Sequence, residues 1–182
     1  MEITIKKARL SFPALFKAKA FEEGQEPKYS ATALLDKKEH AADIKALQAK
    51  ALAVAEEKWG KGKVPKGVKF CLRDGAEKPD MDGYGEAVMF FSAASPKRPA
   101  VVDKDLSPLD GATGKPYAGC YINIHVRLWA QDNKFGKRIN AELKAVQFVK
   151  DGEPFGNDKP VDAAAVFGTV DDDEDVGSLM GG

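Results

Sequence analysis

Aromatic, cationic and hydrogen-bonding side chains alternate with apolar ones between residues 119 and 130. On a β-strand, residues at every second position share a face, so this segment predicts one apolar face and one mixed face. The mixed face carries Tyr121, Asn123, His125, Arg127 and Trp129. Rings interleaved with a cation form a surface on which unpaired bases stack, each contributing roughly 1–3 kcal/mol. The same rings could instead lie under a helix or loop as a second core, and this strand alone leaves both interpretations open.

Further rings and cations follow on the neighbouring hairpin and on two loops. The hairpin tip and the strand after it add Lys134, Phe135, Lys137 and Arg138. Lys97 and Arg98 stand between two prolines, and such a rigid loop suits either phosphate contacts or ordinary solvation. Tyr84 lies between two glycines and is a candidate stacking ring on a mobile loop. Phe12, near the end of the first predicted strand, is expected in the core instead.

The inventory of reactive side chains argues against catalysis and against a bound metal or cofactor. His40 and His125 are the only histidines, and neither stands at ligand spacing from a cysteine. The sequence has no glycine-rich phosphate-binding loop, and its body lacks the carboxylate cluster that a nuclease would use. The acidic run 171–175 lacks the glycine and the later glutamate of a calcium loop. We therefore expect no enzyme activity, no metal and no cofactor.

Charge is distributed unevenly along the 182 residues. Residues 151–182 contain nine acids and one base, a net charge of −8, whereas residues 1–150 contain 27 bases and 19 acids, a net charge of +8. A basic body is typical of proteins that bind a polyanion, and an acidic tail can compete for the same surface. The residues expected to compete are Asp171, Asp172, Asp173, Glu174 and Asp175. A tail that only keeps the protein in solution is the alternative.

The elements that position these residues are mainly β-strands, with one long helix. Asp36 as a cap and apolar residues at helical spacing predict a helix over 37–59, between the second and third strands. The clearest hairpin joins strands 119–130 and 137–149. Alternation predicts further strands near residues 3–12, 29–35, 68–72, 87–93 and 100–102.

Length and apolar content bound the class of protein. The chain suits one ordinary domain over 1–156, followed by a flexible, disordered acidic tail over 157–182. No apolar run approaches the roughly 20 residues needed to span a bilayer, and the N-terminus lacks a signal-peptide pattern. Cys71 and Cys120 have no CxxC partner and predict reduced thiols. We therefore expect a cytoplasmic protein that does not contact membranes.

Four segments of the sequence carry a resemblance to a known family. They are 95–103 (SPKRPAVVD), 117–123 (YAGCYIN), 129–133 (WAQDN) and 147–153 (QFVKDGE). Together they resemble phage-encoded single-stranded DNA-binding proteins long catalogued as a domain of unknown function. The resemblance covers roughly residues 1–156. It implies an OB-fold barrel, sequence-tolerant binding of single-stranded DNA, and a role in phage replication or recombination.

The residues and the resemblance predict the same class of protein. We expect a mainly β, OB-fold-like five-stranded barrel with an extra hairpin and loops. Such a protein would coat single-stranded DNA in the host-cell cytoplasm without base specificity. Phage or host replication and recombination proteins are the expected partners of the acidic tail. The alternative is a protein-interaction module of a phage recombination or replication complex, with the acidic tail as its working part.

Overall fold

The computed structural model describes residues 1–156 and 163–170. The acidic run Asp171–Asp175, and with it the predicted competition by the tail, lies outside the described residues. The same holds for most of the segment 157–182, for which disorder was expected. In the described residues, no helix combines the length and the apolar character needed to cross a bilayer.

Eight strands and two α-helices form within the described residues. In chain order they are β1 (Glu2–Lys19), β2 (Lys28–Asp36), α1 (Ala41–Trp59), β3 (Lys69–Phe70), β4 (Arg73–Asp74), β5 (Val88–Ser95), β6 (Ala100–Val102), β7 (Tyr121–Asn133), β8 (Gly136–Lys150) and α2 (Ala163–Val166). The strands predicted near 29–35, 87–93 and 100–102 are confirmed as β2, β5 and β6. The predicted hairpin is confirmed as β7 and β8.

Five of these strands close into a barrel. β1 pairs with β2 and β7, β2 pairs with β5, and β8 pairs with both β7 and β5. All of these pairs are antiparallel except β5–β8, which is parallel. A small five-stranded barrel of this kind is the OB-fold, so the predicted fold is confirmed.

The barrel interior and one side of α1 form a common core. β7 contributes a buried row at every second position, as its alternation predicted: Ile122, Ile124, Val126 and Leu128. α1 buries Leu47, Ala51, Val54 and Ala55 against the same core at helical spacing. The helix lies between the second and third barrel strands, as predicted. It begins at Ala41 rather than at residue 37, because Asp36 accepts the N–H groups of Lys38 and Glu39 in a preceding turn.

The third predicted strand, 68–72, is wrong as a continuous element. The chain pairs with β8 at Lys69–Phe70, changes direction, and then pairs with β5 at Arg73–Asp74. One strand cannot pair with two barrel strands in opposite directions without turning between them. β3 and β4 are therefore not a hairpin, since each is paired with a barrel strand instead of with the other.

The first strand is longer than predicted, and Phe12 is not a core residue. β1 continues to Lys19 because it pairs with β2 again from Ala14 onward, after a bulge around Pro13 that interrupts the pairing between Ser11 and Ala14. Phe12 lies in that bulge with a φ of 46° and with 57% of its surface exposed. A bulge shifts the facing of the next residues, which strict alternation cannot anticipate.

Candidate nucleic-acid interface

The outward face of β7 carries the five residues singled out by alternation, but it has two different halves. Tyr121, Asn123, His125 and Arg127, here named the β7 polar row, are half-buried. Trp129 is 36% exposed, which is close to the exposure of the His125 and Arg127 side chains. The alternation thus identified the outward face of the strand, and the two halves differ in the contacts of their side chains.

The β7 polar row is occupied by contacts with its own neighbours. Asn123 donates to Gln147 Oε1 (2.9 Å) and accepts the backbone N–H of Lys7 (3.0 Å). His125 hydrogen bonds through Nδ1 to Thr4 Oγ1 (2.7 Å) and lies 3.3 Å from a Glu2 carboxylate oxygen through Nε2.

The two ends of the β7 polar row are also engaged. Arg127 donates to Glu142 Oε2 at 3.2 Å, and this bond is the main cause that holds the pKa of Glu142 below its usual value. The Tyr121 ring lies 5.9 Å from the Arg9 guanidinium and 4.7 Å from Lys150 Nζ. Each side chain of the row thus has a partner within this chain.

A groove of about 550 Å³ lies between the short strands β3 and β4 and the barrel strands β5 and β8. We name it the basic groove; its lining residues are Lys69, Phe70, Cys71, Arg73, Glu77, Phe90, Ser92, Arg138, Ile139 and Asn140. Three of these are cations and one is an acid. Glu77 accepts from Arg73 at 2.8 Å, so its charge is already engaged. No acid among the described residues forms an ion pair with the other two cations, Lys69 and Arg138.

Strand register brings those two cations together. Lys69 of β3 is paired with Arg138 of β8, and both side chains are exposed. Like charges at neighbouring ladder positions repel, and an anion placed between them removes that repulsion. Phe70, the next residue of β3, is paired with the buried Ile139 and lines an apolar pocket against α1, so its side chain lies on the opposite face of the strand from Lys69. Cations next to accessible rings are the combination that single-stranded nucleic acid binds.

Trp129 lies beside the basic groove because of the β7–β8 register. It is paired with Asn140, a groove residue, and Gln131 is paired with Arg138. Asn140 donates to Gln131 Oε1 at 2.8 Å, which ties the two strands together between the tryptophan and the arginine. Of the predicted site residues, Trp129 and Arg138 are therefore brought together at the groove, while the β7 polar row is not part of its lining.

The remaining predicted residues lie around the barrel. Lys134 and Phe135 form the exposed tip between β7 and β8. Lys134 Nζ lies 5.1 Å from the centroid of the Phe135 ring, and Lys137 follows on β8. In OB-folds the loop between the fourth and fifth strands takes part in oligonucleotide binding. Lys97 and Arg98 are exposed between β5 and β6, and the Arg98 guanidinium lies 5.7 Å from the Phe16 ring.

Tyr84 is held in place by packing. Its ring edge meets Phe90 at a centroid distance of 5.1 Å, and its hydroxyl donates to Ser11 Oγ at 3.2 Å. Burial raises the pKa of this hydroxyl above its usual value. Tyr84 thus connects β1 to β5, where the sequence suggested a ring on a mobile loop.

Several groove residues were not predicted as site residues from the sequence. Phe70, Arg73, Phe90 and Asn140 line the groove although none stood in a pattern with the others. The usable signal was Lys69, a basic residue in the segment predicted as the strand 68–72. In the described part of the chain, no three histidine, cysteine, aspartate or glutamate side chains cluster in a way that could hold a metal ion.

The glycines in two of the resemblance motifs have a structural role. Arg9 donates to the backbone oxygens of Gly119 (3.0 Å) and Glu153 (2.8 Å), and thereby holds residues 151–156 against β1. Gly119 has a φ of 104°, and a Cβ there would lie 2.2 Å from Glu153 O. Gly152 donates to the Tyr117 hydroxyl at 3.2 Å. These motifs therefore close the barrel domain and do not line the basic groove.

Comparisons with known proteins agree with this fold. The family model described as Enterobacter phage Enc34, ssDNA-binding protein, matches residues 1–177. The chain therefore belongs to the family of the Enterobacter phage Enc34 single-stranded DNA-binding protein. Protein p50 of Acyrthosiphon pisum secondary endosymbiont phage 1 is 37% identical over 163 residues, covering 85% of this chain and 86% of that protein.

Solved structures extend the comparison to three dimensions. The single-stranded DNA-binding protein from bacteriophage Enc34, solved in complex with single-stranded DNA, superposes with a TM-score of 0.77 at 34% identity. The match covers 85% of this chain and 89% of that one. Gp2.5, a single-stranded DNA-binding protein encoded by bacteriophage T7, matches with a TM-score of 0.51 at 14% identity, over 93% of this chain and 98% of that one. At that identity the T7 protein supports the fold alone.

Proposed function

We propose that this protein binds single-stranded DNA without base specificity, through the basic groove and Trp129, and that it has no enzyme activity. The observation that carries the proposal is the pairing of Lys69 with Arg138, two exposed cations on the same outward face as the accessible ring of Trp129. The Enc34 protein solved with single-stranded DNA belongs to the same family and supports the same ligand.

Each part of the groove has a chemical task in this proposal. Lys69 and Arg138 neutralise phosphates, which releases counterions and makes affinity depend on salt. Trp129 stacks a base at roughly 1–3 kcal/mol, and stacking tolerates every base because each base has a ring face. The hairpin tip and the loop with Lys97 and Arg98 extend the cationic surface on which the backbone lies.

The division of the chain into residues 1–156 and an acidic tail belongs to the same proposal. A polyanion tethered to a cationic groove has a high effective concentration there, in the millimolar range for a short linker. The tail therefore competes with DNA, and DNA displaces it. Val166, Phe167 and Val170 are exposed just before the acidic run. Apolar side chains beside acids suit docking on another protein, which favours a second role in recruiting replication or recombination partners.

In the host cell, a protein of this kind coats single-stranded phage DNA during replication or recombination, in the cytoplasm. The groove suits this role because it would contact DNA phosphates and the faces of bases. Every stretch of a genome offers both, so the protein can bind all of them.

Fluorescence anisotropy with a labelled single strand and the matching duplex, at about 50 and 200 mM salt, tests the proposed function. We expect tighter binding to the single strand, and a slope of log affinity on log salt near −0.7 per phosphate contacted. Equal or tighter binding to the duplex, or a flat salt dependence, would contradict the proposal.

Truncation after Phe155 tests the tail. We expect tighter binding to single-stranded DNA, most visibly at low salt, because electrostatic competition is screened least there. The melting temperature should stay unchanged. Unchanged affinity at low salt would leave the tail as a solubilising segment only.

A further inference from the structure

A second cavity, of about 530 Å³, opens on the barrel surface across the Tyr84–Phe90 contact from the basic groove. Phe12, Tyr84 and Phe155 supply its rings, and Lys19, Asp80 and Asp82 its charges. Neither the alternation in the sequence nor the basic groove accounts for this cavity.

Phe12 is the unusual residue of the cavity. Its φ of 46° is a left-handed backbone conformation, which side chains other than glycine, asparagine and aspartate rarely adopt. The ring is also 57% exposed, so burial does not offset the strain. The bulge in β1 turns this large ring out of the sheet and into the cavity wall, as bulges do when they re-aim a side chain at a binding site.

The charges of the cavity favour a base over a phosphate. Asp80 and Asp82 would repel a phosphate, and Lys19 is the only cation in the lining. The N–H groups at the edges of nucleobases can donate to carboxylates, and their faces can stack on Phe12. Asp82 already accepts the backbone N–H of Gly156 at 2.9 Å, which holds one carboxylate in the cavity wall.

The cavity lies next to the basic groove, and the packed rings of Tyr84 and Phe90 separate the two. Phe90 lines the groove, Tyr84 packs on Phe90, and the Tyr84 hydroxyl reaches Ser11 beside Phe12. Between the groove and the cavity, the hydroxyls of Thr32 on β2 and Ser92 on β5 hydrogen bond at 2.7 Å. The face of the second and third strands is where OB-folds hold oligonucleotides.

We infer that Phe12 and its cavity form a second nucleobase subsite, which holds a base of the same DNA strand beyond the basic groove. This inference rests on the proposed function, since it assigns a further contact for the same ligand. It predicts that short oligonucleotides fill the groove alone and that longer ones also reach Phe12.

The test compares Phe12→Gly with Leu106→Gly on oligothymidylates of about 4 to 16 nucleotides. Leu106 is a matched control, because it is 70% exposed, has a φ of 69°, and lies outside both cavities. Glycine adopts both conformations without strain, so both variants should fold and melt alike. We expect Phe12→Gly to bind the shortest strands like the wild type and the longest about tenfold more weakly. Leu106→Gly should match the wild type at every length.

Several results would overturn the subsite. They are equal affinity of Phe12→Gly and the wild type at every length, equal weakening at every length, or a melting point far below that of Leu106→Gly. Tighter binding by Phe12→Gly would also overturn it, because it would mean that the chain itself fills the cavity. If the wild type binds no single strand at all, the proposed function fails first, which separates the two failures.

Discussion

The β7 polar row and the basic groove have similar side chains and opposite surroundings. Both present rings and arginines on the outer surface of the same barrel. In the row, Arg127 pairs with Glu142 and the Tyr121 ring lies between two cations of its own chain. In the groove, Arg138 stands beside Lys69 with no ion pair to an acid among the described residues. A ring or a cation is available to a ligand only when the fold has not already given it a partner.

Trp129 and Tyr121 separate the two regions most strongly. We expect Trp129→Ala to weaken binding of single-stranded DNA by about 1–3 kcal/mol, because it removes an exposed stacking ring. Tyr121→Ala should leave binding nearly unchanged and lower the unfolding free energy by about 2 kcal/mol, through lost packing and lost contacts with Arg9 and Lys150. Anisotropy titrations and thermal melts on the same samples measure both effects. A reversed pattern would place the DNA on the row.

The two arginines give the next largest contrast. Arg138→Ala should weaken binding by about 1 kcal/mol at low salt and make the salt slope shallower by about 0.7, because one phosphate contact is lost. Arg127→Ala is the matched control, since its guanidinium is already paired with Glu142. It should leave both the affinity and the slope close to those of the wild type. Equal slopes for the two variants would remove the distinction between row and groove.

The smallest expected effect in the comparison of the groove with β7 is a difference in the alkylation of the two cysteines. Cys71 lines the groove, and Cys120, just before β7, has no exposed surface. Burial raises the pKa of each thiol to about 11, so little thiolate exists at pH 8 and alkylation should be slow. Below that pKa, each pH unit upward should speed labelling of Cys71 about tenfold. Saturating single-stranded DNA should slow labelling of Cys71 severalfold and leave Cys120 unreactive, as mass spectrometry of the labelled protein would measure.

Local patterns predicted the parts of the fold that local physics controls. The β7 alternation identified its buried row, because side chains on a strand must point to opposite faces. The α1 helix and the β7–β8 hairpin also followed from short-range spacing and turn residues. The segment 68–72 failed, because its pairing is with two different barrel strands and not with its neighbours in the chain.

The sequence by itself determined the mainly β class, the core row of β7, and a set of outward rings and cations, since these depend on alternation and composition. The barrel was predicted from the resemblance to the family. Only the tertiary structure decided which of those side chains remain available. The parallel pairing of β3 with β8 placed Lys69 beside Arg138, although 69 positions separate them in the chain. The bulge in β1 turned Phe12 outward, while strand pairing enclosed Asn123 and Arg127 among partners. Such contacts join residues far apart in sequence, so no local pattern encodes them.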